Sequence, residues 1–284
     1  MVARGCGRLG ECGKGRAGGG MPAERVLEWV AGCVGGGAVV VSVRPLHGVQ
    51  GPWLVTVQVG RRREDVVLRA VTPRVDAGMV ATGAAALAVA EEFGVPAPRL
   101  LGVDLDVPAT VETVVGSTAW PERPDIARVH AALDRVHVPL EARPGLPVRT
   151  RPIAVDDFAR DRRVGAMPST RLLRLADDVV RGMEVPQGPT VFLHGDVWPG
   201  NVAWAGGECV LIDWKTAGVG NPGVDFGELR KQMAITYGLR ATGGSAYWDL
   251  VAALNTPTVL DWAQATERRD VFVRDALGRL GVAV

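Results

Sequence analysis

The sequence predicts an α+β chain of two lobes, a small β-rich N-terminal lobe and a larger, mostly helical C-terminal lobe. Three observations predict it. β-Rich runs follow one another closely between residues 38 and 71, with the strand composition and turn residues of a meander. Helical periodicity dominates from residue 125 onward. Within that helical part stand two short apolar runs that end in polar groups, Val191-Phe-Leu-His-Gly-Asp-Val-Trp-Pro-Gly-Asn201 and Val210-Leu-Ile-Asp-Trp214. The expected division is a leader over 1–20, an N-terminal lobe over 21–115 and a C-terminal lobe over 116–284.

The leader is glycine-rich, with Arg4, Arg8, Lys14 and Arg16 scattered through it and no apolar core for a signal peptide. Disorder is expected there, and both Met1 and Met21 stay open as the true start. Gly5 to Gly10 spells GxGxxG, but no strand precedes it, and Gly13-Lys14 lacks the rest of a phosphate-binding loop. Neither is read as a nucleotide site.

From Pro22 the pattern becomes organised. Ala23 to Cys33 reads as a short helix stopped by three glycines, followed by strands over Ala38 to Arg44, Trp53 to Val59 and Asp65 to Val71. Pro45 to Pro52, carrying Gly48 and Gly51, is the loop between the first two strands. A helix over Met79 to Phe93 ends at Gly94. A strand follows over Ala109 to Val115, then a helix over Asp125 to Val138. Segment 139–167 is rich in proline and arginine and reads as a connection or a substrate-side excursion. Leu172 to Met183 is an amphipathic helix, Thr190 to Leu193 a strand, and Val202 to Trp204 with Cys209 to Ile212 a hairpin through Gly206-Gly207. Ala246 to Leu254 and Asp270 to Leu280 are helical by pattern.

Composition excludes several classes. Formal net charge is +1, and without the basic leader the body is nearly neutral with no long basic run, so nucleic acid is not an expected partner. No apolar stretch approaches the roughly eighteen residues that would span a bilayer. Cys6, Cys12, Cys33 and Cys209 fall in no metal-finger or CxxC spacing, so reduced thiols in a cytoplasmic protein are expected. Oligomeric state is not legible.

The polar groups carry the chemistry. A phosphoryl transferase needs a carboxylate to orient the attacking hydroxyl and oxygen ligands to hold magnesium against the nucleotide phosphates. Asp196, Asn201 five residues on, and Asp213 twelve beyond that supply this set. The spacing resembles the catalytic loop and metal-binding aspartate of kinases, with His-Gly-Asp in place of His-Arg-Asp. More closely, it resembles the aminoglycoside phosphotransferase and choline kinase family, over about Val39 to Leu254.

That resemblance implies a protein-kinase-like fold and ATP-dependent transfer of the γ-phosphate to a hydroxyl of a small molecule: an antibiotic, a sugar or an amino alcohol. It implies ATP and Mg²⁺ as cofactors. Asp196 would orient the acceptor hydroxyl and accept its proton, and Asn201 and Asp213 would hold magnesium. His194 would orient the loop, and Asp225 would be the downstream structural aspartate. The alternatives for these two are a core histidine and a turn or cap aspartate. Arg69 matches the third-strand cation that holds the phosphates, since no lysine lies between Lys14 and Lys215; the alternative is a solvated strand-edge arginine. Gly48 and Gly51 would let the backbone approach the phosphates. The Glu112 carbonyl and Val114 amide would meet the adenine edge, with a surface carboxylate as the bland reading of Glu112. His130 and His137 share a helix face at a spacing unlike a zinc pair, and His137 matches the family's Leu-His pair. Trp198 and Trp214 flank the motif, as core packing or as substrate stacking, with packing preferred.

One departure stands out. The family's helix glutamate, which pairs with the third-strand cation, is replaced by Gly83, and Glu91 and Glu92 lie two turns further on. Arg69 is therefore expected to lack a helix partner, with Asp76 in the preceding loop as a candidate substitute. This departure favours the alternative of a non-catalytic or regulatory, pseudokinase-like nucleotide-binding protein. As to the acceptor, Glu228, Asp249, Asp261, Glu267 and Asp270 are interspersed with Arg230, Arg240, Arg268 and Arg269, which points to a hydroxylated molecule of low charge.

With almost no apolar content to offset the entropy of ordering its glycines, the leader should be dispensable. A chain starting at Met21 should melt with the full-length protein; a drop of several degrees would show that the leader packs on the body.

Overall fold

The computed structural model describes residues 21–46, 51–116, 125–240, 243–262 and 264–284. The expectations for leader 1–20 and for Gly48 lie outside the described residues. The fold is α+β, with a β-sheet N-terminal part and a mainly helical C-terminal part.

Five strands, β1 (Val39–Pro45), β2 (Trp53–Val59), β3 (Arg62–Ala70), β4 (Leu100–Asp104) and β5 (Ala109–Thr113), form one antiparallel sheet in the order β1-β2-β3-β5-β4. Side chains alternate across a strand, so one face can be apolar and the other functional. Val55, Val57, Val66, Leu68, Ala109 and Val111 are buried on one face, against helix α1 (Glu24–Val34). Arg69 lies opposite Thr110 in the β3–β5 register, and alternation sends both, with Glu112, to the other face.

Helix α2 (Ala77–Glu92) lies against that second face. The Asp76 carboxylate accepts the Met79 amide at 2.8 Å, the side-chain cap that starts the helix. Asp76 is therefore a cap and not the substitute partner of Arg69. α2 is apolar on nearly every side, and its alanines allow close packing. Its Ala86, Leu87, Val89 and Ala90 belong to the largest buried cluster, together with Leu133, Phe192, Leu211 and Trp214 of the C-terminal part. A Cβ at Gly83 would meet the Lys215 backbone at 3.8 Å, in ordinary contact.

The C-terminal part contains α3 (Ile126–Val136), α4 (Phe158–Arg163), α5 (Arg171–Gly182), α6 (Gly223–Tyr237), α7 (Ala246–Leu254) and α8 (Ala265–Arg279). Asp125, Asp157 and Thr170 cap α3, α4 and α5 through their side chains. The short α4 falls within the segment read from sequence as a connection. A second buried cluster joins α5, α7 and α8 through Leu173, Leu250, Phe272 and Leu277. Strand β6 (Val191–Leu193) pairs with β9 (Gly218–Gly220), and β7 (Val202–Ala205) pairs with β8 (Glu208–Leu211). β9 has little strand signature because both its glycines are forced: a Cβ at either would overlap backbone carbonyls of the 147–149 segment. No helix among the described residues is long and apolar enough to cross a membrane.

Since a methyl group fits at Gly83 and glycine weakens a helix interior, Gly83→Ala should stabilise the protein by about 1 kcal/mol in chemical denaturation. A loss of stability would show that α2 cannot tolerate even a methyl beside Lys215.

Candidate active site

Strand β6 delivers His194-Gly195-Asp196 to the end of the small β6–β9 ladder. The loop is fixed by its backbone. Asp225, fully buried on α6, accepts the His194 amide at 2.9 Å and the Gly195 amide at 2.8 Å, one on each carboxylate oxygen. His137 Nε2 donates to the same carboxylate at 3.1 Å. Burial alone would raise the Asp225 pKa, but the His137 hydrogen bond, the two histidines and the loop amide outweigh it and leave it below the usual carboxylate range. Gly195 turns at φ +80°, where a side chain would also run into the Thr216 carbonyl.

His194 is fully buried, and its ring joins two halves of the site. A carbonyl only accepts, so Nε2 donates to Ile212 O at 2.9 Å, which leaves Nδ1 to accept the Asp196 amide at 3.2 Å. That fixes the tautomer, and burial lowers the pKa and keeps the ring neutral. His194 thus ties the loop to the Ile212 backbone through a neutral ring. Trp214 is 2 % exposed and packs edge-on against His194 and stacked on Phe192, a core role, whereas Trp198, two residues beyond Asp196, is 37 % exposed.

The Asn201 amide nitrogen donates to both the backbone carbonyl and the carboxylate Oδ2 of Asp196, each at 2.9 Å. Ile212 N donates to Asn201 O at 2.9 Å as the β7–β8 ladder closes. The hairpin therefore sets Asn201 next to the residue before Asp213. Asp213 follows with φ +68°, a turn that throws its carboxylate out of the strand direction. Burial pushes the Asp196 carboxyl up to about 7; Lys215 opposes the shift and Glu228 and Asp213 reinforce it.

Arg69 sits between two carboxylates. Its Nε is 3.1 Å from Glu112 Oε1 and its Nη1 3.0 Å from Asp213 Oδ1. Glu112 is 2 % exposed, so the reading as a surface carboxylate is corrected. No carboxylate of α2 among the described residues pairs with Arg69, in line with the expected lack of a helix partner. The carboxylate comes from the neighbouring strand, two residues beyond the one facing Arg69, instead of from α2. Burial would lower the Arg69 pKa, but Glu112 and Asp213 raise it overall. The backbone of Glu112 is paired within the sheet, opposite Val67 and Leu100.

Lys215, which no sequence motif singled out, bonds the second oxygen of Asp213 through Nζ. Burial would raise the Asp213 pKa; Arg69 and Lys215 hold it down at about 2. A signal was present in the sequence, because lysine occurs at positions 14, 215 and 231 alone. Gly51, Arg69, Gly83, Glu112, Asp213 and Lys215 line one cleft between the sheet and α2. Val114, exposed beyond the end of β5, is not among its lining residues.

The donor set suits magnesium. With its nitrogen committed to Asp196, Asn201 can offer a cation its amide oxygen, and Asp213 offers a carboxylate; both are hard oxygen ligands. No group of three or more His, Cys, Asp or Glu that could hold a metal occurs among the described residues. Magnesium needs no such cage, since phosphates and water complete its shell. His130 stacks on Phe226 and His137 binds Asp225, so neither forms a zinc pair.

Asp225→Asn would turn a donor toward groups that already donate, and should cost about 3 kcal/mol of stability. The sign with pH follows from a depressed folded-state pKa. Asp225 stabilises above its unfolded value of about 4 and loses that contribution as pH falls through the lower folded value. The difference between wild type and variant in denaturant melts should therefore shrink below about pH 4.

Three solved structures are similar over nearly the whole chain, at identities that show the fold alone. Aminoglycoside phosphotransferase APH(4)-Ia, in a ternary complex with AMP-PNP and hygromycin B, is 16 % identical with a TM-score of 0.58, over 90 % of this chain and 100 % of that one. Choline kinase LicA from Streptococcus pneumoniae is 12 % identical with a TM-score of 0.55, over 90 % and 98 %. Macrolide 2'-phosphotransferase MphH from Brachybacterium faecium is 16 % identical with a TM-score of 0.52, over 91 % and 92 %. No curated protein sequence matches significantly. The model of the APH phosphotransferase enzyme family matches residues 45–250, most of the chain, and the protein belongs to that family.

Proposed function

We propose that the protein transfers the γ-phosphate of ATP to a hydroxyl of a small molecule. The observation that carries this reading is the hydrogen-bonded path from the Asp196 carboxylate through Asn201 to Ile212, the residue before Asp213. That path supports reading Asp196 as a base near two oxygen ligands, Asn201 and Asp213, the arrangement phosphoryl transfer requires. Asp196 holds the acceptor hydroxyl and takes its proton, and a pKa near 7 suits a base working at neutral pH. Arg69, braced by Glu112, holds the nucleotide phosphates from the sheet side of the cleft. Asn201 and Asp213 would hold Mg²⁺, which when bound neutralises charge on the phosphates. Gly51 borders the same cleft, where a positive φ and the Trp53 ring packed against it leave no room for a side chain.

The acceptor is read as a hydroxylated molecule of low charge. Among the acids at hand, Asp249 is paired with Arg230 and Arg279, Asp270 with Arg269, and Glu228 with Lys231. A polycation would have to displace these partners. The non-catalytic alternative was favoured by the missing helix glutamate, and Glu112 removes that reason. The described cysteines, Cys33 and Cys209, are free thiols, in keeping with a reducing cytoplasm.

A screen of hydroxylated antibiotics, sugars and amino alcohols for ADP release identifies the acceptor. On it, Asp196→Asn should cut turnover about 10²-fold or more while leaving Mg-ATP binding nearly intact. Asp213→Ala should lose the magnesium-dependent part of nucleotide binding as well. Because the folded-state pKa of Asp196 is raised, the carboxylate destabilises the fold increasingly as pH rises from about 4 to 7. Asp196→Asn should therefore melt higher than wild type at about pH 8. Equal turnover of this variant and wild type would end the assignment.

A further inference from the structure

Lys215 lies in the cleft with no motif to account for it. Its Nζ bonds Asp213 Oδ2 while Arg69 bonds Oδ1, so both oxygens of the proposed metal-binding carboxylate are held by cations. The two cations are not equivalent. Arg69 is anchored from behind by Glu112, whereas Lys215 projects from a short 3-10 turn (Trp214–Thr216), and its side chain is 23 % exposed toward the cleft. A cation arriving at Asp213 competes for its oxygens and displaces the less anchored partner, a phosphate draws the freed ammonium toward itself, and a flexible ammonium moves at little cost. Its charge also reaches the other side of the site, where it is the strongest electrostatic influence on Asp196. A single positive charge thus acts on both the acceptor-side and the metal-side carboxylate.

We propose that Lys215 is a catalytic residue whose ammonium leaves Asp213 when nucleotide binds and contacts the transferring phosphoryl group. This rests on the phosphotransferase reading and extends it. In the step, the bond from the γ-phosphorus to the β–γ bridging oxygen breaks and a bond to the acceptor oxygen forms. The acceptor proton passes to Asp196, and ADP leaves with the electron pair. Lys215 supplies no atom; it stabilises charge on the phosphoryl oxygens in transit. The role also accounts for Gly83. α2 presents that position to the backbone of Lys215 at 3.8 Å, so a glutamate there would stand beside the ammonium and hold it back from phosphate. With Glu112 bracing Arg69 from β5, the helix is free to carry glycine.

The test compares full-length wild type with Lys215→Met, by thermal shift with Mg²⁺ and AMP-PNP and by steady-state ADP release from ATP with water as acceptor. The expected result is a folded variant whose kcat falls about 10²-fold while its KM for ATP changes less than about tenfold. Mg²⁺ alone should raise the melting temperature of the variant more than that of wild type, because one oxygen of Asp213 is no longer taken. An unchanged kcat, or a loss confined to KM, overturns the proposal, since a lysine that merely holds Asp213 would act through binding. If the methionine variant does not fold, Lys215→Gln replaces it, keeping a donor to Asp213 without the charge, with the same expected and overturning results. A wild type that shows no nucleotide-induced shift rejects the phosphotransferase reading itself and this role with it.

Discussion

The site depends on one buried carboxylate that takes no part in the chemistry. Asp225 holds the amides of His194 and Gly195, so the catalytic loop is positioned by its main chain and not by the side chains it displays. Two amide donors and an imidazole satisfy a charge that would otherwise be costly to bury. Because α6 carries Asp225 and packs in the same cluster as Phe192 and Trp214, through Leu229 and Met233, the position of the loop is tied to the main core. His194 then transmits that position across to Ile212 and so to Asp213. One clamp therefore fixes both Asp196, the proposed base, and Asp213, the proposed metal ligand, seventeen residues apart.

Much of this was legible from local spacing. The approach of Asp196, Asn201 and segment 212–213 could be read because a tight loop and a short hairpin bring them near one another with little help from the rest of the chain. Strands β2 and β6 and helix α7 were legible for the same reason, their periods being local. What the sequence hid depends on register. Glu112 reaches Arg69 only because β5 pairs with β3, skipping β4 in the sheet order. No local pattern carries that information, and Glu112 looked like any strand-end acid. The glycine strand β9 and the capped α4 were missed for opposite reasons. One lacks strand-forming side chains, and the other is a single short helix inside a proline-rich segment. Lys215 was in view as an oddity of composition, but its meaning needed the turn after Asp213.

The exchange of a helix carboxylate for a strand carboxylate also changes what holds the cation. In the family arrangement implied by sequence, the brace would arrive with the helix. Here Arg69 and Glu112 belong to one sheet, so the brace is set by cross-strand geometry and is present whenever the sheet is folded. The Arg69 charge proposed to hold phosphate is thus organised by the sheet itself, which would lower the reorganisation that nucleotide binding must drive.

Helix α2 has a mechanical consequence. Its buried alanines, Leu87 and Val89 lie in the same apolar cluster as α3 and the catalytic loop, while the sheet has its own separate cluster with α1. In chain order α2 sits between β3 and β4, yet in packing it is part of the lower body. Widening of the cleft would accordingly slide the sheet across α2 rather than swing the two as a unit. The short links on either side of the helix would absorb the displacement. Shear of this kind moves Arg69 and Glu112 together relative to Asp213, so the ion pair between Arg69 and Asp213 is the latch that such a motion must release.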